Sequence, residues 1–101
     1  MDERLSNPQM RKLKALAQRL EATLKMGKGG LSPAFVESVK TELERHELVK
    51  VKFTEFKERR KELAPELAEK SGSHLVTLVG NVAVLYRRRV ESPSIELPKR
   101  E

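Results

Sequence analysis

The segment from Lys25 to Pro33, KMGKGGLSP, places three of the chain's five glycines around Lys28. Glycine tolerates positive φ and lets a ligand approach the backbone closely. Ser32 and Pro33 then supply a helix cap and a first helical residue. Free backbone N–H groups before a helix point outward, and the helix dipole adds partial positive charge. The segment therefore favours an anion such as phosphate, and Lys28 would add a point charge.

The spacing of the glycines limits which phosphate-binding loop this is. A mononucleotide P-loop needs Gly-x-x-x-x-Gly-Lys-Ser/Thr, but Ala22 stands at its first glycine and Gly29 at its hydroxyl position. The dinucleotide pattern Gly-x-Gly-x-x-Gly is not matched either. What remains is Gly-x-x-Gly from Gly27 to Gly30, which clamps a nucleic-acid backbone in KH modules. Taken alone, the same pattern also suits a strand-to-helix turn that needs glycine only for its geometry.

Basic residues are concentrated around this loop. The chain has 101 residues and a net charge of +6, and residues 11–28 carry six basic side chains and one acidic one. Residues 32–47 carry two basic and four acidic side chains. Such asymmetry is the electrostatic footprint of nucleic-acid binding. The predicted RNA-binding residues are Gly27, Lys28, Gly29, Gly30, Lys25, Arg11, Lys12, Lys14, Lys50, Lys52, Arg87 and Arg88.

Enzymatic and metal chemistry find little support in the sequence. The absence of cysteine excludes disulfides and thiolate zinc sites, and two histidines are too few for a typical histidine metal site. Ser32 is better used as a helix cap than as a nucleophile. The glutamates fall on solvent-facing helix positions, and Glu47 is assigned to the acidic face of the second helix. We therefore predict no enzymatic activity, no metal and no cofactor.

The expected environment is the cytoplasm, with no membrane association. Cysteine-free chains fit a reducing compartment. The polar, acidic start MDERLSNPQM does not have the form of a signal peptide. The longest apolar stretch, residues 75–86, is interrupted by Gly80-Asn81 and is too short to span a bilayer.

The four aromatic residues are not arranged as a stacking platform. Phe35, Phe53 and Phe56 lie on apolar faces and are predicted to be core, and Tyr86 is the one aromatic with a polar group. The stacked aromatics of an RRM or an OB-fold are therefore missing. Recognition is expected to rest on phosphate contacts and RNA shape.

The elements that position the loop follow from hydrophobic periodicity. Three helices are predicted: one from Asn7-Pro8 to residues 21–22, one that begins at Ser32-Pro33, and one from 55 or 56 to 70 that is interrupted at Pro65. Four strands are predicted: residues 23–26, residues 48–53, and a hairpin of strands 75–79 and 82–87. The fold class is α/β, in the order α-β-α-β-α-β-β. Two β-α-β steps favour parallel pairing, and the Gly80-Asn81 hairpin is antiparallel. A single mixed four-stranded sheet packed by helices results, with both hairpin strands central or covered on both sides.

The predicted domain occupies residues 7–90. Residues 1–6 are expected to be flexible and residues 91–101 irregular, with an extended piece possible at Ser94–Leu97. Proline occurs twice in this C-terminal part of the chain, which disfavours regular structure there.

Four motifs in this order resemble the CRM domain (chloroplast RNA splicing and ribosome maturation), in its single-domain bacterial YhbY-type form. They are RKLKALAQRL, GKGGLS, HELVKVKF and GNVAVLYR, within residues 8–89. The resemblance implies an RNA-binding fold similar to the C-terminal domain of translation initiation factor three. It implies that Gly27–Gly30 is the family's Gly-x-x-Gly loop. Ala22, where the family usually has proline, and Pro65 depart from the family pattern.

The resemblance also suggests a function. Bacterial members associate with precursors of the large ribosomal subunit, and plant relatives belong to group II intron splicing factors. The leading hypothesis is a monomer that binds large-subunit rRNA in a pre-ribosomal particle and assists assembly. One alternative is an RNA chaperone or intron-splicing type of RNA binder. Another is a protein-interaction module whose acidic second helix docks a ribosomal protein.

Overall fold

The computed structural model describes residues 4–89, 95 and 97. Its elements are α1 (Asn7–Ala17), β1 (Leu24–Met26), α2 (Pro33–His46), β2 (Leu48–Phe53), a 3-10 turn (Lys57–Arg59), α3 (Arg60–Ser71), β3 (His74–Val79) and β4 (Val82–Tyr86). The predicted order of helices and strands is confirmed. The expectations for residues 1–3, and for the tail apart from Ile95 and Leu97, lie outside the described residues.

The four strands form one mixed sheet in the order β1-β2-β4-β3. β1 is parallel to β2, whereas β4 is antiparallel to both β2 and β3. The mixed four-stranded sheet is therefore confirmed, but β4 lies between the two strands that α3 connects. β4 is central and largely buried, whereas β3 is an edge strand with only Val76 buried. The expectation that both hairpin strands are central or covered on both sides is met in two ways: β4 is central, and β3, although at the edge, is covered on both faces, because Leu75 and Leu78 pack on the side of α2 and α3 and Val76 packs on the side of α1.

The helices cover both faces of the sheet. α2 and α3 pack on one face over the larger core cluster, whose largest fully buried side chains include Phe53, Met26, Leu43 and Leu67. α1 packs on the other face over a smaller cluster: Leu13, Ala17, Leu48, Val76, Val84 and Tyr86. The two faces therefore differ, because only one helix covers the second face.

Several element ends differ from the prediction. Ser6, not Asn7, caps α1, because its side chain accepts a hydrogen bond from the Gln9 N–H while the Gln9 side chain accepts one from the Ser6 N–H. This reciprocal capping box uses two otherwise unpaired donors. α1 also ends at Ala17, four residues early. α3 continues through Pro65, and the irregular backbone lies before the helix, in the 3-10 turn.

Candidate nucleic-acid interface

Gly27 to Gly30 form a tight turn directly after β1. The Gly30 N–H donates to the Gly27 carbonyl at 3.0 Å, which places Lys28 and Gly29 at the two exposed central positions. Gly30 has a φ of 62°, a conformation that favours glycine. Ser32 then accepts a hydrogen bond from the Phe35 N–H at 3.2 Å and begins α2 as predicted.

The start of this turn is fixed by the connection that follows β2. The Met26 carbonyl accepts hydrogen bonds from the Thr54 N–H at 3.1 Å, the Thr54 hydroxyl at 3.0 Å and the Glu55 N–H at 3.3 Å. Met26 itself is fully buried. The glycine turn is therefore presented from a rigid base, with its tip in solvent.

Two lysines lie side by side next to the turn. Lys25 of β1 is the register partner of Lys52 of β2, and both side chains are exposed on the sheet face that carries α1. The row continues across the sheet through Val82 and Val79. Because α1 contacts the opposite ends of these strands, this row stays uncovered, and Val79 is 67% exposed. We call the row and the glycine turn the loop end of the sheet.

α1 extends the basic surface from the loop end. Lys14 and Gln18 line a groove against Thr77, Val79 and Val82. Arg11 lies on the same side of α1 as Lys14, because residues three apart are neighbours on a helix. Lys12 shares its side of α1 with Leu16, which lines a different groove. The structure thus brings Lys14 close to the loop end and turns Lys12 away from it.

Lys50 has a different environment from Lys52. Its ammonium donates to the carbonyls of Ala17 at 3.0 Å and Leu20 at 2.9 Å. Ala17 is the last residue of α1 and Leu20 follows in the turn after it, so the ammonium lies at the C-terminus of the helix, where a cation is favoured by the helix dipole. Lys50 therefore fastens the end of α1 to the sheet, a role that the alternating pattern of β2 did not indicate.

Arg87 and Arg88 lie at the far end of the sheet. They follow Tyr86, whose register partners are Leu48 at the start of β2 and His74 at the start of β3. Arg88 is exposed and shares a recess with Arg4 and the N-terminal part of α1. The predicted basic residues therefore divide between two ends of one sheet, with Lys25, Lys28 and Lys52 at one end and Arg87 and Arg88 at the other, and α1 runs between them.

Tyr86 is buried beside this far end. It is 2% exposed, and its ring stacks on His74 with centroids 6.4 Å apart. Burial raises the pKa of the Tyr86 hydroxyl above its ordinary value, the Glu47 carboxylate raises it further, and the Arg88 guanidinium opposes the change. The hydroxyl is thus held neutral, and the aromatic ring belongs to the core.

Glu47 was predicted to face solvent, and this prediction is wrong. Its side chain is fully buried, and its carboxylate accepts hydrogen bonds from the Arg89 N–H at 2.8 Å and the Ile95 N–H at 2.9 Å. Its carbonyl accepts the Arg87 N–H at 2.9 Å. A φ of 64° at the end of α2 turns the side chain away from the helix surface and toward the chain after β4.

Phe56 is an aromatic residue at the glycine turn that the sequence analysis misplaced. Phe53 is fully buried and Phe35 packs against the core, but Phe56 is 36% exposed. The reason is that α3 begins only at Arg60, so Phe56 lies in the connection before it. A Cβ added to Gly30 would lie 3.5 Å from the Phe56 Cε2 atom, so the aromatic ring lies against the glycine turn.

The charges of the loop end are not neutralised by acidic neighbours. Within residues 4–89, Lys14, Lys25, Lys28 and Lys52 form no ion pair. Ion pairs among the described residues are found instead on α2 and on the segment containing α3, and they include Lys40–Glu37, His46–Glu42, Arg59–Glu62 and Lys70–Glu66. Across the described part of the chain, no three acidic, histidine or cysteine side chains are grouped as a metal site, and no helix has the length and apolarity to cross a membrane.

Comparison with known proteins identifies the family. The family model of the CRS1/YhbY (CRM) domain matches residues 5–87. The chain belongs to the CRM domain family. The predicted resemblance is thereby confirmed over nearly the whole described region.

Relatives of this CRM domain have similar lengths. The chain is 35% identical over 95 residues to "Probable RNA-binding protein YqeI" of Bacillus subtilis, covering 93% of this chain and 99% of the relative. It is 31% identical over 97 residues to a Haemophilus influenzae protein named "RNA-binding protein", covering 95% and 97%. A solution structure of a hypothetical Staphylococcus aureus protein matches with a TM-score of 0.80 at 35% identity, covering 94% of this chain and all of that one.

Proposed function

We propose that this CRM domain binds RNA through the loop end of its sheet. The observation that carries the proposal is the pairing of Lys25 with Lys52 beside the exposed Gly27–Gly30 turn, with no ion pair to either lysine within residues 4–89. Two relatives that match 93% and 95% of the chain are named as a probable RNA-binding protein and an RNA-binding protein. A phosphate backbone supplies the negative charge that this surface lacks.

The turn and the lysines would share the contact. Gly27, Gly29 and Gly30 carry no side chain, so a phosphate can approach the exposed amides of the turn, and Lys28 at its tip adds charge. Lys25, Lys52 and Lys14 would neutralise neighbouring phosphates, and Arg11 continues this surface along α1. Lys50 would act indirectly, by holding α1 in position. Phosphate contacts of this kind position the protein and carry no base sequence information.

We further propose that the RNA is large-subunit rRNA in a pre-ribosomal particle, and that the domain assists assembly as a cytoplasmic monomer without catalysing a reaction. The support is the family membership, because the resemblance to bacterial YhbY-type members implies association with large-subunit precursors. The docking of a ribosomal protein on α2 is less favoured. Two of its glutamates pair within the helix, with Lys40 and His46, and Glu47, at the end of the helix, is buried.

The proposal is tested by the salt dependence of RNA binding. For wild type, the logarithm of the affinity should fall steeply with the logarithm of the salt concentration, by about 0.7 to 0.9 per phosphate contact. The double variant Lys25→Glu/Lys52→Glu should bind weakly and with a smaller slope. The matched control, Lys40→Glu/Lys70→Glu, places the same charge change on α2 and α3 and should bind like wild type. Equal losses of RNA affinity in both double variants would mean that binding depends on the net charge of the protein and not on the position of the lysines.

The identity of the RNA is tested in cells. Cross-linking followed by sequencing of the attached RNA should enrich large-subunit rRNA for wild type and lose that enrichment for Lys28→Glu. Enrichment of intron or messenger RNA instead would favour the alternative RNA roles. If the protein is recovered without cross-linked RNA, in an association that salt does not weaken, the protein-docking alternative is favoured.

A further inference from the structure

Two features of Phe56 are not explained by packing in the core. More than a third of the residue is exposed, and its backbone is left-handed, with φ 57° and ψ 34°. A bulky residue adopts this conformation only when neighbouring structure holds it there, and such positions are concentrated at functional sites. A phenylalanine that served only to stabilise the core would be buried. A position that required only this backbone conformation would favour glycine.

Hydrogen bonds on both sides hold Phe56 in place. Before it, Thr54 and Glu55 donate to the Met26 carbonyl, the same group that precedes the glycine turn. After it, the Arg59 N–H donates to the Phe56 carbonyl at 3.0 Å, and the Arg60 guanidinium donates to the Lys57 carbonyl at 2.8 Å. The connection carrying Phe56 and the turn of Gly27–Gly30 are therefore one rigid unit.

The ring of Phe56 extends this unit with an apolar surface. Its Cε2 and Cζ atoms lie against Gly30, at the end of the turn opposite β1. The residues around it, 55–61, carry four basic and two acidic side chains, so the surroundings do not repel a polyanion. A partly exposed aromatic residue beside a turn that can hold a phosphate has the chemistry to stack a nucleobase, because every base offers a flat π-face.

We propose that Phe56 stacks an unpaired base of the RNA strand whose backbone phosphate is held by the Gly27–Gly30 turn. This inference rests on the proposed function and goes beyond it. Recognition then includes a base contact in addition to phosphates and shape, and it requires an unpaired nucleotide at the turn. Phe56 lies on an apolar face of the sequence pattern and was predicted to be core, so no base contact was expected from the sequence alone.

The test separates the base from the phosphate. The probes are a single-stranded oligouridine and an abasic sugar–phosphate strand of the same length. Phe56→Leu should weaken oligouridine binding by about fivefold to 150-fold, the range of one base–aromatic stack. It should leave binding of the abasic strand and the salt slope unchanged. Phe56→Tyr keeps the ring and should bind both probes like wild type, and the melting temperatures of both variants verify that they fold.

Cross-linking gives a second, direct readout. Oligouridine carrying 5-iodouridine should attach to the tryptic peptide FTEFK, residues 53–57, with the mass added at Phe56. Phe53 in the same peptide is fully buried and serves as the internal control. Attachment to Phe56 should disappear in Phe56→Leu while photo-attachment elsewhere remains.

The outcomes distinguish this inference from the proposed function. If wild type binds both probes with a steep salt dependence but Phe56→Leu binds oligouridine equally well, stacking is wrong and phosphate binding stands. If Phe56→Leu weakens both probes equally, Phe56 only shapes the turn, and stacking is again wrong. If wild type binds neither probe, both the stacking of a base on Phe56 and the binding of a single-stranded phosphate backbone at the glycine turn are wrong.

Discussion

Lys50 and Lys52 occupy equivalent positions on one face of β2, yet they differ in what their ammonium groups contact. Lys50 lies beneath the end of α1 and donates to the Ala17 and Leu20 carbonyls. Lys52 is two residues further along, beyond the end of α1, and its side chain is exposed. The reach of one helix across the sheet therefore decides which lysine supports the fold and which is available for a ligand.

Replacing Lys50 should destabilise the protein more than replacing Lys52. Lys50→Met removes two hydrogen bonds from a charged donor and leaves the carbonyls of Ala17 and Leu20, at the end of α1 and in the turn after it, without this partner. It should therefore lower the free energy of unfolding by about 1.5 to 3 kcal/mol. Lys52→Met removes an exposed side chain and should change it by less than about 0.5 kcal/mol. Urea denaturation of both variants measures the difference. Equal, small effects would show that the Lys50 ammonium is not held by α1 in solution.

Residues whose environment is local could be predicted from the sequence, whereas residues placed by tertiary contacts could not. The cap at Ser32 and the turn at Gly27–Gly30 depend on a few neighbours in the chain, and the structure has both. Glu47 and Phe56 depend on a left-handed backbone at each, which removes the side chain from the helical pattern. Neither residue is glycine or asparagine, so the sequence offered no signal for that conformation.

At the scale of elements, hydrophobic periodicity predicted every helix and strand but not how the strands are ordered. A hairpin sequence shows that β3 and β4 pair with each other, but it does not show which of the two pairs with β2. The structure places β4 beside β2, where its apolar residues are covered on both faces. The predicted ends of α1 differ from the observed ones. The Ser6 capping box, a local contact, fixes the start of the helix, and the ammonium of the distant Lys50 binds at its end.

Glu47, at the end of α2, holds Arg89 and Ile95, which follow β4 in the chain. The buried Glu47 carboxylate accepts from the backbone of Arg89 and Ile95, so Glu47→Gln should lower the free energy of unfolding by about 1.5 to 3 kcal/mol. The amide would keep one acceptor oxygen but would present a donor to a backbone N–H. Thermal and urea unfolding measure the loss. Hydrogen exchange should show faster exchange of the Arg89 amide.

Glu44→Gln is the matched control for this change. Glu44 lies on the same helix three residues earlier and is exposed, so the same loss of charge should leave stability within about 0.5 kcal/mol of wild type. A similar destabilisation by both variants would indicate a general charge effect. It would contradict a specific role for the buried carboxylate.

At the scale of the whole molecule, the basic charge is divided between two ends of one sheet. The loop end carries Lys25, Lys28 and Lys52, and the far end carries Arg87 and Arg88, with four residue steps of β4 between Val82 and Tyr86. At about 3.4 Å per residue the ends are separated by at least about 14 Å. α1 runs between them with Arg11 and Lys14 on one side. An RNA that fills the glycine turn and also contacts the far end must therefore extend at least this distance beyond the turn.

This separation predicts that the effect of a charge reversal depends on RNA length. Lys52→Glu and Arg88→Glu each reverse one exposed charge, at the loop end and at the far end respectively. With a strand of about four nucleotides, the length that a Gly-x-x-Gly loop clamps, only Lys52→Glu should weaken binding and reduce the salt slope. With a strand of about 16 nucleotides both variants should do so, because the longer strand can reach Arg88 along α1. Fluorescence anisotropy titrations at several salt concentrations measure both quantities. A loss from Arg88→Glu that is the same at both lengths would contradict a path from the loop end to the far end and would place the primary contact at the far end instead.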